Sequence, residues 1–544
     1  MQKKWTVKND CRGMTTNEII DTILRDRGVE DIRELLYPDE DCLIPFEEMK
    51  NIDQAANVII ENIENDGSFF VHFDTDTDGV SAGSIAVRWL KEHTDNVTYG
   101  INQGKEHGIA NLDLSLLKGV DVLWIVDSIE TQMYPYEAVL EAGVKHIIIT
   151  DHHLVSKDMQ KQMEFTGAIT LVSSAVDYPN PALSGSATTW KLCSYIDWLE
   201  LNDYSDDLVD LATCGMIADM VDVGLDSPEN RYICSKGFGN LKNPALKKIN
   251  GSYAYNSQAV SFGIAPLINA SNRMSENEKA MELFLCDDSK EISGLVKNLK
   301  ECKAYQNYEI TDIMPLLEEQ AEAQIDDKVM FFFVETESDV KGLLGNKLME
   351  KYSRPVIVLS ERIEADEDGE IVRHEYTGSA RAVGVDNFKA YVDKTGFVGT
   401  GGHENAHGLW FDAEVLEDFK THLEYELKDV EFVEETVADI QIDQEQLTDD
   451  LIKKIKQLNR ISGTGWPSIS VMISDITDYE VGNMSGGKHL KLIADDGELL
   501  FIKWNFNDDW DQFDGPVSAI GNIDSGFFGR TYYRQFIMSD FEVR

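Results

Sequence analysis

At 544 residues the chain exceeds one ordinary domain and argues for about three or four. With 42% apolar and 27% charged residues, and only 39 glycines and 12 prolines, it is neither collagen-like nor disordered. Lys and Arg number 49 against 98 Asp and Glu, and the resulting −49 repels nucleic acid and anionic membrane at long range. On charge alone, polynucleotide is set aside as a partner.

The opening Met1-Gln-Lys-Lys-Trp5 has no apolar run after its lysines, so no signal peptide is expected. No stretch approaches the roughly 18 uninterrupted apolar residues of a membrane span. Seven cysteines stand singly, without a Cys-x-x-Cys pair, which favours a reduced, cytoplasmic setting. Residues 17–63 pattern as helix broken at Pro38 and Pro45, so 1–65 is read as an N-terminal helical segment. Ser68-Phe-Phe-Val-His-Phe73 then reads as a strand that ends in Asp74-Thr-Asp-Thr-Asp-Gly79, with a helix over 80–93. Two further apolar runs, 120–126 and 145–150, end in Asp127 and in Asp151-His152-His153. Strands alternating with helices predict an α/β domain with a mainly parallel sheet over 66–275. Ligands of such sheets bind beyond the carboxyl ends of the strands, so the three strand ends point to one shared site.

Residues 276–327 read as one or two long connecting helices. Apolar runs at 329–334 and 355–360 open a second α/β domain, 328–430. The acidic stretch 431–450 reads as a boundary with a helix running into Lys453, Lys454 and Lys456. Short alternating runs at 468–473, 489–494, 499–504 and 532–538 predict a small all-β barrel within 431–544. The expected fold class is therefore α/β, with two α/β domains joined by a long helical connector and a C-terminal all-β barrel.

Asp74, Asp76 and Asp78 alternate, and on an extended strand alternate residues share a face. Carboxylates that close repel unless cations lie between them. An EF-hand loop starts similarly, but its twelfth position is Ile85 here, where calcium needs a bidentate Glu. An Asp-rich turn and a metal loop both remain open for this segment alone. At the strand-to-loop junction after residue 150, one histidine can be a ligand while its neighbour contacts substrate. Oxygen-rich ligation with one or two imidazoles suits Mn²⁺ or Mg²⁺. Two such ions about 3.5–4 Å apart form a phosphoryl-transfer site that activates water and stabilises the departing oxygen.

These motifs resemble those of DHH-family phosphoesterases, specifically the RecJ single-strand DNA exonuclease branch. Asp74-Thr-Asp-Thr-Asp-Gly79, Ile125-Val-Asp-Ser-Ile129, Asp151-His-His153 and Gly215-Met-Ile-Ala-Asp219 follow in family order. Pro266 to Met274, Gly378-Ser-Ala-Arg381 and Gly401-Gly-His-Glu-Asn-Ala-His-Gly408 continue the match, and the tail resembles the RecJ oligonucleotide-binding (OB) fold. The resemblance implies metal ligation by Asp76, Asp78, Asp127, His152 and Asp219, with Asp127 as the bridge and His72 and Asp74 as further candidates. Asp127, Asp151 and His153 carry the implied catalytic roles, His153 beside the scissile phosphate. Arg273, Ser379, Arg381, Gly401, Gly402, His403 and Lys105 are the implied substrate contacts.

Three positions depart from the family pattern. Gln103 stands for an arginine, His107 for a tyrosine and Asn272 for a glycine, all read as affecting substrate grip rather than metal binding. In the barrel, Lys488, Lys491, Arg530 and Arg534 are candidate nucleic-acid contacts interleaved with aromatics.

The expected activity is divalent-metal-dependent 5′→3′ hydrolysis of single-stranded DNA to 5′-mononucleotides, with two Mn²⁺ or Mg²⁺ ions, in DNA repair or recombination. A phosphodiesterase for short oligoribonucleotides or small nucleotides, and a non-catalytic DNA-binding scaffold, are the alternatives. A monomer in bacterial or phage-infected cytoplasm is expected, with a helicase or single-strand-binding protein as partner and no membrane. The −49 then reads differently: part of it is carboxylate that metal ions would offset, and binding must be confined to a local groove.

Overall fold

The computed structural model describes residues 2–544 apart from 105–106, 337–338, 366–370, 507–512 and 529. The chain divides into two compact units, one of Val7–Cys302 with Ala438–Arg544 and one of Met1–Thr6 with Lys303–Val437. Lys105, one of the expected substrate contacts, lies outside the described residues. No described helix is long and apolar enough to cross a membrane.

The chain begins with strand β1 (Gln2–Asp10) rather than helix, a correction to the all-helical reading of 1–65. Lys4 and Lys8, on one face of the strand by their period of two, meet Glu435 at 3.2 Å and Asp439 at 3.1 Å. Helices follow over Thr16–Asp26, Ile32–Leu36 and Ile52–Glu64. The first carries a capping box in which Thr15 and Glu18 satisfy each other's backbone N–H.

The larger unit is built on a five-stranded parallel sheet. Its strands are β2 (Phe69–Phe73), β3 (Val97–Ile101), β4 (Val122–Val126), β5 (His146–Asp151) and β6 (Ile169–Ser173), in the order β3-β2-β4-β5-β6. Strands β2, β4 and β6 are buried at every position, which is why they read as unbroken apolar runs. From β2 the chain moves to one side to form β3, then returns past β2 to form β4. The carboxyl ends of β2 and β4 therefore flank a topological switch point, where such sheets open a crevice. Helices α1 (Thr77–Lys91), α2 (Gly185–Glu200) and α3 (Val209–Ala218) pack together in the core of this unit. A π-helical turn at Val260–Ile264 leads into α4 (Ala265–Arg273). Helix α5 (Ser289–Glu322) runs through Pro315 and carries the chain from the larger unit into the smaller.

The smaller unit holds β7 (Met330–Phe333), β8 (Val356–Ala365), β9 (Ile371–Arg381), β10 (Gly399–His403) and β11 (Ala406–Asp412). Their order is β10-β11-β9-β8-β7, parallel at β7–β8 and antiparallel elsewhere.

A third sheet has the order β1-β12-β13-β17-β18-β16-β15-β14. Its later strands are β12 (Val433–Ile442), β13 (Val471–Ile476), β14 (Tyr479–Met484), β15 (His489–Ala494), β16 (Leu499–Lys503), β17 (Val517–Phe528) and β18 (Thr531–Val543). The acidic stretch read as a boundary is thus partly a strand. Ala438, Ile440 and Ile442 recur at period two and are buried, while Asp439 between them pairs with Lys8 and Arg27. Helix α6 (Asp449–Leu458) follows, capped by Thr448. The C-terminal region packs on the parallel-sheet domain within one unit: Val223 N–H donates to Thr464 O at 2.9 Å. Trp466 is buried beneath the guanidinium groups of Arg27 and Arg231, at 4.7 and 5.6 Å from its ring centre.

Candidate metal centre

The Asp-rich turn after β2 folds around its own acids. Asp76 is the N-cap of α1, and its Oδ1 accepts from the N–H groups of Asp78 (2.9 Å) and Gly79 (3.0 Å). Asp78, one residue into the helix, points to the start of α2. There it accepts from Ser184 Oγ (2.9 Å), Gly185 N (2.8 Å) and Ser186 Oγ (2.5 Å). Asp74 accepts on one oxygen from Ser128 Oγ (3.0 Å) and His107 Nδ1 (2.9 Å).

Asp127, just past β4, has φ +55°. A non-glycine residue holds the left-handed region at some cost, commonly where function requires a particular side-chain direction. Glycines make room for these carboxylates. A Cβ on Gly185 would lie 2.4 Å from Asp127 Oδ1, and one on Gly215 would lie 2.1 Å from Asp78 Oδ1. Asp219 closes the set as the C-cap of α3.

Three overlapping groups place ligand atoms within 4.8 Å of one another: Asp74, Asp76 and Asp127; Asp78, His152 and Asp219; and Asp127, His152 and His153. Asp127 is shared by two of them, as a bridging ligand would be. Its Oδ1 is buried and receives no hydrogen bond, with His152 Nε2 3.3 Å away. An orphaned buried carboxylate oxygen at the focus of several acids fits divalent cations.

The electrostatics agree. Burial and the charges of Asp74 and Asp78 push Asp76 up to about 7. Burial and the charges of Asp78 and Asp76 push Asp219 up to about 8, and the same forces raise Asp127 well above the carboxylate range. Crowding of this kind favours protons on these carboxylates unless cations take their place.

Asp151 is fully buried and does not reach into the cluster; it works through its neighbours. One oxygen accepts from the N–H groups of His152 and His153 and from His153 Nδ1 (2.8 Å), and the other accepts from Ile129 N–H (2.8 Å). Asp151, expected to carry a catalytic role, thus meets His153 and backbone N–H groups and belongs to none of the three ligand groups. Burial opposes the His153 cation, but the hydrogen bond and charge of Asp151 outweigh it and raise His153 to about 9. Burial keeps His152 below the usual imidazole range, as suits a neutral ligand.

His72, a candidate ligand, is not brought into any of the three groups. It is buried in β2, Nε2 lies 3.1 Å from Gly108 O, and burial lowers it to about 4. Arg273 ends α4, where its Nη1 approaches Asn269 O at 3.4 Å. From the same helix, Asn269 bonds Thr77 and Asn272 Nδ2 donates to Thr75 Oγ1 at 3.2 Å, so α4 braces the Asp loop.

In the smaller unit, Arg381, Gly402 and His403 line a groove of about 850 Å³ together with Asn346, Asn387 and Lys389. Arg381 Nη1 donates to Ser379 Oγ at 2.7 Å on β9, and Gly401, Gly402 and His403 lie on β10. Gly402 has φ +119°, open only to glycine. In the C-terminal sheet Lys488 and Arg530 are exposed. Arg534 is not available there: it donates to Leu447 O at 2.9 Å and pairs with Asp495 and Glu498.

Sequence reasoning missed Ser128, Ser184, Gly185 and Ser186, which hold the acids, and it assigned His107 to substrate grip. The Ser-Gly-Ser run before an apolar helix was a visible capping signal; nothing local ties it to Asp78.

Residues 68–230 match the model of the DHH family, N-terminal domain. The chain is 25% identical over 550 residues to a putative prophage-derived single-strand DNA-specific exonuclease of Bacillus subtilis, covering 95% of this chain and 93% of the relative. It is also 25% identical over 511 residues to the single-stranded-DNA-specific exonuclease RecJ of Bacillus subtilis, covering 89% of this chain and 62% of that protein. In three dimensions it is similar to Thermus thermophilus RecJ solved in complex with Mn²⁺, with a TM-score of 0.76 at 21% identity, covering 100% of this chain and 80% of that one. Residues 68–230 thus match the DHH family model, within a chain whose fold is similar to that of RecJ.

Proposed function

We propose that this protein is a divalent-metal-dependent exonuclease that degrades single-stranded DNA 5′→3′ to 5′-mononucleotides. The observation that carries the reading is Asp127, strained, buried, unpaired at Oδ1 and common to two of the three ligand groups. Asp74, Asp76 and Asp127 would hold one Mn²⁺ or Mg²⁺, and Asp78, His152 and Asp219 a second. Two such ions activate water and stabilise the departing oxygen of an in-line displacement.

The chain's own groups supply the rest. Asp151 ties down Nδ1 of His153 and favours the cation, so Nε2–H donates to the scissile phosphate. Water adds to phosphorus, the P–O3′ bond breaks, and the 3′-oxygen leaves with a proton. The products are a 5′-mononucleotide and a strand shortened by one, with a new 5′-phosphate. Gly401, Gly402 and His403, beside Arg381 and Ser379, would hold a nucleotide phosphate on exposed backbone N–H and the guanidinium. Lys488, Lys491 and Arg530 would guide the strand, with repair or recombination in a bacterial or phage-infected cytoplasm as the setting and a helicase or single-strand-binding protein as partner. The test is digestion of end-labelled single-stranded and duplex oligonucleotides with Mn²⁺. Wild type should release labelled mononucleotide from 5′-labelled single strands, and Asp127→Ala should not; activity in the variant, or equal cleavage of duplex, overturns the reading.

One observation favours a second reading, a phosphodiesterase for short oligoribonucleotides. Gln103, which stands for the family's arginine, lies 3.5 Å from Glu278 Oε1 and offers phosphate no charge. A dinucleotide cleaved faster than a thirty-mer would select it.

A further inference from the structure

His107 was read from sequence as a change in substrate grip. In the structure its ring reaches the acid cluster: Nδ1 lies 2.9 Å from Asp74 Oδ1, and the ring centre lies 4.9 Å from that of His153. The loop that carries it is pinned on both sides of the next peptide. Gly108 N–H donates to Ser128 Oγ at 2.8 Å, and Gly108 O meets Asn102 Nδ2 at 2.8 Å and His72 Nε2 at 3.1 Å. Glu130 holds the two following N–H groups, those of Ile109 and Ala110, at 2.6 and 2.7 Å. A side chain on so well-fastened a loop is delivered to a set place.

Asp74 is shared by this network. Its Oδ1 accepts from Ser128 Oγ at 3.0 Å as well as from His107, so two donors converge on one oxygen. The same carboxylate belongs to the group it forms with Asp76 and Asp127. A carboxylate ligand held by outside hydrogen bonds keeps its orientation and loses less freedom when a cation arrives.

We propose that His107 is a positioning residue of the metal centre, holding Asp74 in the orientation in which it shares a divalent cation with Asp76 and Asp127. The assignment rests on reading the centre as a divalent-metal site. It gives His72 a place too: that buried imidazole supports the loop through Gly108 rather than ligating.

The test is calorimetric titration of Mn²⁺ into the full chain as wild type, His107→Ala and His107→Asn, with melting curves for each. The asparagine places an amide N–H where Nδ1 stands, so it preserves the bond without the ring. His107→Ala should bind Mn²⁺ about 10–100-fold more weakly at an unchanged melting temperature, the usual cost of removing a ligand's hydrogen-bond partner. His107→Asn should return most of that loss. Equal Mn²⁺ affinity in wild type and His107→Ala overturns the proposal, as does a loss that asparagine does not restore or that follows a lowered melting temperature. If wild type itself takes up no Mn²⁺, the metal reading of the centre fails instead, which separates the two claims.

Discussion

At the mouth of the parallel sheet, Asp74, Asp76, Asp78, Asp127 and Asp219 crowd together around His152 and His153. On the C-terminal sheet the charges are arranged the other way. Arg534 is spent on Asp495 and Glu498, Lys456 on Asp524 at 2.6 Å, and Lys454 on Asp450 at 3.0 Å. Like charges held together by a buried scaffold store an imbalance that a cation relieves, whereas opposite charges that neutralise one another on a surface leave little field for a partner. Net charge therefore describes neither region. The −49 of the chain conceals one site crowded with carboxylates and a C-terminal region where several basic side chains are already paired.

The contrast breaks most sharply at Gly185. Gly185→Ala puts a methyl group 2.4 Å from Asp127 Oδ1, so Mn²⁺ uptake and nuclease activity should both fall to background. Overpacking of this kind costs about 1–3 kcal/mol, so a melting curve should still show a folded protein. Next in size is Asp151→Asn, which leaves the fold and the ligand set but removes the charge behind His153. kcat should fall by about 10²–10⁴, with Mn²⁺ affinity little changed, since general acid–base groups are worth about that much. A kcat near wild type would remove His153 from the chemistry.

Metal-free protein should lose stability as the pH rises from 6.5 to 8. Asp76 at about 7 and Asp219 at about 8 retain protons that the unfolded chain has already released, and His153, raised to about 9, stays charged above the ordinary imidazole value of 6.5. In each case the folded state binds more protons than the unfolded one across this window, so stability falls with pH. Saturating Mn²⁺ displaces those protons and should raise the melting temperature and flatten its slope with pH. The smallest effects belong to the C-terminal sheet. Arg534→Ala should cost ~1 kcal/mol of stability and leave the salt dependence of DNA binding alone. Arg530→Ala should do the reverse, lowering the salt slope by about 1 without moving the melting temperature.

The same contrast explains what could be read from the sequence. A divalent site needs particular side chains, so Asp76, Asp127 and His152 beyond strand ends and Asp219 at a helix end stand out along the chain. Parallel strands buried on both faces declare themselves as apolar runs. What supports the site is less visible, because a serine or glycine that receives a carboxylate from a distant loop looks like any other. Ser184, Gly185 and Ser186 lie more than a hundred residues from Asp78 and are tied to it only by the fold. His107 shows a related limit: a motif position says which residue type is unusual, and only the pinned loop says that its ring reaches Asp74. The strands β1 and β12 were missed where charge obscured a period-two pattern, Lys4 and Lys8 on one and Glu435 and Asp439 on the other. Arg534 fails in the opposite sense, since a basic residue beside tyrosines looks the same whether it faces DNA or Asp495.

The most direct test is anomalous scattering from crystals grown with Mn²⁺. Two peaks about 3.5–4 Å apart are expected, one beside Asp74, Asp76 and Asp127 and one beside Asp78, His152 and Asp219, with Asp127 touching both. A cluster that stays protonated and metal-free at millimolar Mn²⁺, or ions bound elsewhere with Asp127 Oδ1 still unpaired, would contradict the account.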